Sequence, residues 1–188
     1  MNPTPITWRE TRDRLRVDYR RIVEQLGRQS NRRHCWAGLH PSFVCVLLHR
    51  ISRWLFGRRR YYLARGVWHL NLLVTGADIS ENSDLGAGLL VVQPAGLAIM
   101  AKAGRNLTVM PNAGLGGEMG RSEDVGAGPG LPIVGDDVVL GAHAGILGPV
   151  RVGNRVSIRP GCAVLRDVPD DTIVQVTPPR RFGRKDLA

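Results

Sequence analysis

Side chains suited to acid–base chemistry are unevenly distributed along the 188 residues. Four of the five histidines precede residue 70 and are interpreted as structural, whereas His143 stands alone in the second half, next to Ala142. An imidazole titrates near neutral pH and is the commonest general base. His143 is therefore a candidate base, with a surface histidine as the alternative. The three cysteines include no C-x-x-C pair, which predicts neither a disulfide framework nor a zinc site.

A six-residue repeat dominates the chain from residue 79 onward. An apolar residue recurs every six positions in two runs, and a smaller residue, such as Ala77 or Ala95, stands two positions before it. The larger residues are Ile79, Leu85, Val91, Leu97, Ala103, Val109, Leu115 and, after a break, Val134, Leu140, Ile146, Val152, Ile158 and Val164. A short strand with two inward side chains and a corner gives this period. Three such units close a triangular coil, so the sequence predicts a mainly β fold, a left-handed parallel β-helix.

Regularly placed glycines and one long break accompany the repeat. Glycine follows the larger residue at six positions, where we expect corners with positive φ: Gly86, Gly104, Gly116, Gly135, Gly141 and Gly153. The break at 116–131, GGEMGRSEDVGAGPGL, is polar and rich in glycine. It predicts a loop extruded from the β-helix, and long loops in compact domains tend to be functional.

The first 74 residues have helical periodicity instead. Thr7 and Glu10 form the T-x-x-E pattern of a helix start, Pro41 begins a second helix, and 61–73 predicts a third. The second helix is expected to pack through one apolar face: Phe43, Val44, Leu47, Leu48, Ile51, Trp54 and Leu55. The predicted organisation is a helical segment at 1–74 covering the first coil, a β-helix at 75–168 and a basic tail at 169–188.

The net charge of +10 raises the question of acidic partners. The basic residues cluster at 9–33, 58–60 and 180–185, without a nucleic-acid-binding motif or a basic face with stacking aromatics. No nucleic-acid partner is therefore predicted. No apolar stretch is long enough for a membrane span, and the N-terminus lacks the apolar core of a signal peptide. These features predict a soluble, cytoplasmic protein.

Residues 40–183 resemble the serine acetyltransferases and the related enzymes that O-acetylate sugars in polysaccharide synthesis. The motifs are His40-Pro41-Ser42-Phe43 with His49-Arg50-Ile51, Thr75-Gly76-Ala77-Asp78-Ile79, Leu115-Gly116-Gly117, the coils at 134–168, and Pro178 with Arg180. The resemblance implies a homotrimer with active sites between neighbouring subunits. It also implies acetyl-CoA as co-substrate, a small-molecule acceptor and direct transfer, in which a histidine accepts the acceptor's proton and an aspartate orients that histidine.

The departures from the family fall on this chemistry. Asp78 matches the orienting aspartate, but Gln93 stands where the family has its catalytic histidine. An amide has no useful pKa, so Gln93 can orient an acceptor but cannot act as a general base. The alternative is that Gln93 is a relic of an inactive site. Leu131 stands where serine acetyltransferases have a second histidine, which argues against serine as the acceptor.

The positions that the resemblance assigns to CoA are also altered. Gly117 and Ala142 match family residues, whereas Pro160, one 18-residue coil beyond Ala142, has no N–H to donate. Arg180 and its basic neighbours could meet the phosphates of CoA, or could be a disordered end. The sequence thus predicts a CoA-dependent acyltransferase that transfers an acetyl group to a hydroxyl or amine. The alternative is a catalytically inactive trimeric scaffold or regulator.

Overall fold

The computed structural model describes residues 6–29, 37–118 and 120–176. The helices are α1 (Trp8–Gln29), α2 (Pro41–Gly57) and α3 (Tyr61–Thr75), with a 3-10 turn at Ala37–Leu39. The strands are β1 (Asp78–Ile79), β2 (Asp84–Leu85), β3 (Leu90–Val91), β4 (Ala98–Ile99), β5 (Lys102–Ala103), β6 (Thr108–Val109), β7 (Gly114–Gly116), β8 (Ile133–Val134), β9 (Val139–Leu140), β10 (Gly145–Leu147), β11 (Arg151–Val152), β12 (Ser157–Ile158), β13 (Ala163–Val164) and β14 (Ile173–Val174). No helix among these residues is long and apolar enough to cross a bilayer.

The strands form three parallel sheets that are the three faces of a left-handed β-helix, as the repeat predicted. The first sheet has the order β1-β4-β7-β10-β13, the second β2-β5-β8-β11 and the third β3-β6-β9-β12-β14. Each strand pairs with its equivalent one coil later; Leu140, for example, pairs with Ile158. The third sheet continues to Val174, so the predicted boundary at 168 is wrong and the β-helix extends into the segment expected to be a tail.

All thirteen larger residues of the repeat are buried, but the prediction is wrong in register at one coil. Ile79 pairs with Ile99, twenty residues later, so Ile99 takes the position assigned to Leu97. The corner before β4 contains six residues (92–97) and the next corner only two (100–101), so the period returns at Ala103. Counting in sixes cannot detect two compensating changes in corner length, and Ala95 is consequently exposed rather than inward.

The glycines after the larger residues have a different role from the predicted one. None of the six lies at positive φ. A Cβ at Gly86 would lie 2.4 Å from the carbonyl oxygen of Gly104, and one at Gly104 would lie 2.9 Å from that of Gly135. Successive coils therefore approach too closely at this corner for any side chain. The left-handed residues come two positions later, at Asn106, Asp137 and Arg155.

The three helices form a cap over the first coil, and α2 is oriented opposite to the prediction. Its seven predicted core residues are only half-buried, and its fully buried residues are mostly polar: Ser42, Cys45, Val46, His49, Arg50, Ser52 and Arg53. Arg50 explains the inversion, because its guanidinium donates to the carbonyl oxygens of Leu85 and Gly86. The end of a β-helix presents unpaired backbone groups, which a polar helix face can satisfy and an apolar face cannot.

An aspartate of α1 completes this junction. Asp18 accepts from Arg50 Nε at 2.8 Å and from the backbone N–H groups of Gly88 and Leu89 at 2.7 and 2.8 Å. Both members of the ion pair are buried. The start of α1 is as predicted, since Thr7 Oγ1 accepts from the N–H of Glu10 at 3.2 Å.

Candidate functional site

The residues with predicted functional roles gather mainly at one corner of the β-helix. The chain turns from the third sheet into the first at 92–97, 110–113, 141–144 and 159–162, and these corners stack into what we call the Gln93 edge. Their left-handed residues stack one above another: Gly96, Asn112, His143 and Gly161. The Gln93 edge therefore contains Gln93, Ala142, His143 and Pro160.

Asp78 lies beside this edge, where β1 begins. Its backbone N–H donates to the carbonyl of Leu97 at 2.9 Å, and Gly96 N–H donates to the carbonyl of Gly76 at 3.1 Å, so the corner that contains Gln93 is joined to the chain on either side of Ala77. The Asp78 carboxylate accepts from Trp68 Nε1 at 2.8 Å. The resemblance implies that this carboxylate holds the imidazole of a catalytic histidine. Here it accepts a hydrogen bond from the indole of Trp68 on α3 instead.

Two charged residues hold Trp68 in place: Arg65 on α3 and Glu81 in the corner after β1. The guanidinium carbon of Arg65 lies 4.8 Å from the centroid of the Trp68 ring, within cation–π range. Arg65 Nε also lies 3.2 Å from Glu81 Oε1. The indole is therefore held between a cation on its face and the Asp78 carboxylate at its N–H, which fixes the orientation of both.

Gln93 occupies the enlarged corner that precedes β4. Its side chain is exposed and has no hydrogen-bond partner among the described residues, which leaves its amide available to a ligand. The start of α2 lies next to it, because Ser42 Oγ donates to the carbonyl of Val92 at 3.1 Å.

The start of α2 also brings a histidine to the edge that sequence reasoning missed. His40 caps α2, and its Nδ1 accepts from the Ser42 N–H at 3.3 Å. This hydrogen bond occupies Nδ1, so Nε2 is the ring nitrogen of His40 that remains for other contacts. No local sequence signal indicates this placement, since it depends on a contact between residues fifty positions apart.

Ala142 and Pro160 stack one coil apart, as their spacing predicted. Gly161 N–H donates to the carbonyl of Ala142 at 2.9 Å. A Cβ at Gly141 would lie 2.5 Å from the nitrogen of Pro160, so the two corners are in direct contact. Pro160 is exposed at the last described corner of the edge, where it offers a ligand no N–H.

His143 is exposed on the same edge, with its N–H donating to the carbonyl of Pro111 at 3.0 Å. Two coils separate it from Gln93, which corresponds to about 10 Å at the usual strand spacing. An imidazole at this position lies along the stack of corners next to Ala142, one coil before Pro160.

Gly117 lies at the opposite side of the first sheet, where the extruded loop leaves β7. The two ends of the loop meet there, since a Cβ on Gly117 would lie 3.6 Å from the carbonyl oxygen of Gly130 and 3.9 Å from Leu131 Cδ2. Leu131 thus packs at the base of the loop. Within a single chain, the first sheet separates Gly117 and Leu131 from the Gln93 edge.

The remaining candidates lie elsewhere. Arg180, Pro178 and Cys35 fall outside the described residues. Cys45 is buried in the cap, where burial raises the pKa of its thiol to about 12, so it is a structural residue rather than a nucleophile. Among the residues that the structure describes, no three His, Cys, Asp or Glu side chains are grouped to bind a metal ion.

Comparison with known proteins identifies the repeat and its relatives. Residues 132–166 match the family model described as bacterial transferase hexapeptide (six repeats). The serine acetyltransferase of Synechococcus elongatus is 34% identical over 150 residues, covering 79% of this chain and 59% of that protein. The enzyme of the same name from Helicobacter pylori is 32% identical over 133 residues, covering 70% of this chain and 75% of that protein.

A solved structure extends the similarity to the helical cap. The Neisseria gonorrhoeae serine acetyltransferase in complex with serine superposes with a TM-score of 0.76 at 28% identity, covering 91% of this chain and 68% of that one. Such coverage includes both the cap and the β-helix. The chain nevertheless spans about three fifths of the length of the Synechococcus relative.

Proposed function

This chain belongs to the serine acetyltransferase family, and from that premise we propose that it is a CoA-dependent acyltransferase with its site on the Gln93 edge. The observation that supports the proposal most is that the corner containing Gln93 is hydrogen-bonded to the chain at Asp78, through Leu97 and Gly96. The Asp78 carboxylate accepts from Trp68 Nε1 at 2.8 Å, whereas the Gln93 amide is exposed and has no hydrogen-bond partner among the described residues. A carboxylate held in place at the same corner as an exposed amide can orient an acceptor.

The donor is acetyl-CoA, the co-substrate that the family resemblance implies. The stacked corners at Ala142 and Pro160 and the exposed His143 present a continuous line along which CoA can lie. The loss of the N–H at Pro160 removes one hydrogen bond to it, and the Arg180 tail is proposed to meet its phosphates. During transfer the thioester C–S bond breaks and a C–O or C–N bond forms, while the proton released by the acceptor ends on the CoA sulfur.

The acceptor is a small metabolite or sugar that needs little help to lose its proton. Gln93 can accept from an acceptor N–H or O–H and donate to its neighbour, but it cannot take a proton away. An amine that is already neutral near physiological pH therefore suits this site better than serine, the amino acid bound in the Neisseria structure. A carboxylate at Asp78 would also favour an acceptor that carries or develops positive charge.

We further propose a homotrimer in which the site lies between neighbouring chains. Gly117 and Leu131 lie across the first sheet from the Gln93 edge, so residues of a second chain are needed to bring both sides of the family's site together. The first sheet presents a flat outer column of small residues suited to such packing: Ala98, Gly114, Gly145 and Ala163. Sedimentation equilibrium should give three times the mass of 20.6 kDa.

A second candidate function is that of an inactive scaffold or regulator of a partner enzyme. Its support is the coincidence of three altered positions, Gln93, Leu131 and Pro160, in what would be one groove. The two functions differ in turnover, because an inactive relative can bind acyl-CoA without transferring the acyl group to any acceptor.

Substitution at Gln93 separates these possibilities. A general base is worth about 10²–10⁴ in rate, so Gln93→His should raise acetyl transfer to a hydroxyl acceptor by about that factor. Asp78→Asn in the Gln93→His background should remove most of the gain. Wild-type turnover of an amine acceptor that falls on Asp78→Asn supports the enzyme. If the wild type and Gln93→His both bind acetyl-CoA but transfer the acetyl group to no hydroxyl or amine acceptor, the protein is an inactive scaffold and not an acyltransferase.

A further inference from the structure

The inversion of α2 leaves apolar side chains on the outside of the cap. With its polar face over the first coil, the opposite face shows half-buried Trp54 and Leu55 near the helix end. The adjoining turn and the start of α3 add exposed residues, of which Tyr62 is 96% and Leu63 is 55% accessible. Exposed aromatic and aliphatic residues that form a contiguous surface commonly mark an interaction site.

Contacts between three helices make these residues one surface. The Trp8 and Trp54 rings lie 5.1 Å apart, and the Phe56 and Tyr61 rings lie 5.2 Å apart. A depression of about 560 Å³ at its centre is lined by Trp54, Leu55, Arg58, Arg60 and Leu63. We call the surface the aromatic–arginine patch: Trp8, Trp54, Leu55, Phe56, Arg58, Arg59, Arg60, Tyr61, Tyr62 and Leu63.

The patch is strongly cationic. Residues 51–77 contain five arginines and no aspartate or glutamate. Arg53 and Arg65 are paired with Asp84 and Glu81. By contrast, the arginines at 58–60 form no ion pair with any described residue, and Arg58 instead lies over Trp54, its guanidinium carbon 5.8 Å from the ring centroid. Three uncompensated charges therefore lie next to exposed aromatic rings.

We propose that the aromatic–arginine patch binds the surface of an anionic phospholipid bilayer. Tryptophan and tyrosine favour the headgroup region because their rings are apolar with one polar group. Arginine interacts with lipid phosphates through several N–H donors, and each basic residue near an anionic surface strengthens binding about fivefold. Leu63 and Leu55 supply the apolar area that enters the acyl boundary.

Two other occupants fit this surface less well. A second copy of the chain placed face to face would oppose two sets of unpaired arginines, and like charges that meet at an interface weaken it. Single-stranded nucleic acid could stack on tyrosines, but the patch also contains aliphatic Leu55 and Leu63, which suit acyl chains better than bases.

Vesicle sedimentation with the full chain tests the proposal. We expect binding to vesicles of phosphatidylcholine with phosphatidylglycerol at about 0.1 M salt, weakening at about 0.5 M, and little binding to phosphatidylcholine alone. Arg58→Gln with Arg60→Gln should weaken binding by roughly 25-fold, at fivefold per charge. Tyr62→Ser with Leu63→Ser should weaken it at least tenfold.

The matched controls lie in the last coils, far from the cap. Arg151→Gln with Arg166→Gln removes the same charge from exposed positions, and Ile173→Ser removes an exposed apolar side chain. Both controls should bind anionic vesicles as the wild type does. A measurement without substitutions adds independent support: tryptophan fluorescence should shift to shorter wavelength with anionic vesicles, because Trp8 and Trp54 belong to the patch.

Several results would overturn the proposal. They are the absence of binding to anionic vesicles in low salt, equal losses in the patch and control variants, and an unchanged fluorescence spectrum. Salt-sensitive binding to single-stranded nucleic acid without vesicle binding would replace it with a nucleic-acid surface. Self-association that Tyr62→Ser with Leu63→Ser abolishes, again without vesicle binding, would assign the patch to a second copy.

Discussion

The β-helix and its helical cap bury opposite kinds of side chain. In the β-helix, inward residues such as Ile146 and Ile158 are apolar and almost completely buried, and the charged residues lie at the corners or at outward positions of the strands. In the cap, His49, Arg50 and Asp18 are buried, whereas Trp54 and Leu55 remain half-exposed. A closed coil satisfies its backbone through the next coil. The first coil has none before it and needs polar partners from the cap.

Breaking the polar junction should have the largest effect on stability. Asp18→Ala leaves Arg50 buried without its carboxylate and the N–H groups of Gly88 and Leu89 without an acceptor. Loss of one member of a buried ion pair costs about 3–5 kcal/mol, which chemical denaturation followed by circular dichroism would measure. Asp171→Ala is the control, because it removes an exposed partner of Arg155 and should change stability little. Equal effects of the two would contradict a structural role for the junction.

The apolar core of the β-helix should be nearly as sensitive, and the outer face of α2 much less so. Ile146 is 0% exposed, and Ile146→Ala should cost about 3 kcal/mol through the cavity it leaves. Ile51 is half-buried on α2, so Ile51→Ala should cost less than half as much. Urea denaturation of both variants would show whether α2 is indeed turned with its apolar face outward; a larger loss for Ile51→Ala would mean that it is not.

Acid should loosen the cap before the β-helix. Burial, together with the guanidinium groups of Arg50, Arg53 and Arg14, holds the pKa of His49 well below its ordinary value of 6.5. The unfolded chain therefore takes up a proton below about pH 6.5 that the folded chain does not. Stability should fall by about 1.4 kcal/mol per pH unit as the pH drops below that value.

Thermal unfolding between about pH 7.5 and about pH 5.5 measures this loss, in a range where free carboxylates remain ionised. His49→Gln should flatten the dependence, and His143→Gln, at an exposed corner, should leave it unchanged. The nearby carboxylates Asp18 and Asp84 already pair with the arginines around His49. A wild type with the same melting temperature at both pH values would contradict the buried neutral imidazole.

The sequence predicts the two regions with different success for a physical reason. Hexapeptide periodicity repeats thirteen times, and every larger residue it identifies is buried. The periodicity does not reveal the long corner before β4, because the short corner after β4 brings the apolar residues back to the same six-residue spacing. For five of the six predicted glycines the cause is the close approach of coils and not positive φ, which only the stacked structure reveals; Gly116 has open space around it.

The cap is harder to predict because its orientation depends on contacts distant in sequence. Helical periodicity located α2 but assigned its apolar face to the core, since no local signal shows that Arg50 is needed by the carbonyls of the first coil. The hydrogen bond from Trp68 to Asp78 and the position of His40 beside the Gln93 edge could not be predicted for the same reason, since neither has a local sequence signal. The stacking of Ala142 and Pro160, by contrast, followed directly from their spacing of one coil.

Titration calorimetry of the wild-type chain with acetyl-CoA tests the central claim most directly, since it requires no knowledge of the acceptor. The account predicts micromolar binding with about one site per chain, which corresponds to about −8 kcal/mol. Ala142→Trp, which fills the Gln93 edge, should abolish this binding, whereas Arg151→Gln should not. Absence of heat with both acetyl-CoA and free CoA would contradict a donor site on this edge and with it the proposed acyltransferase.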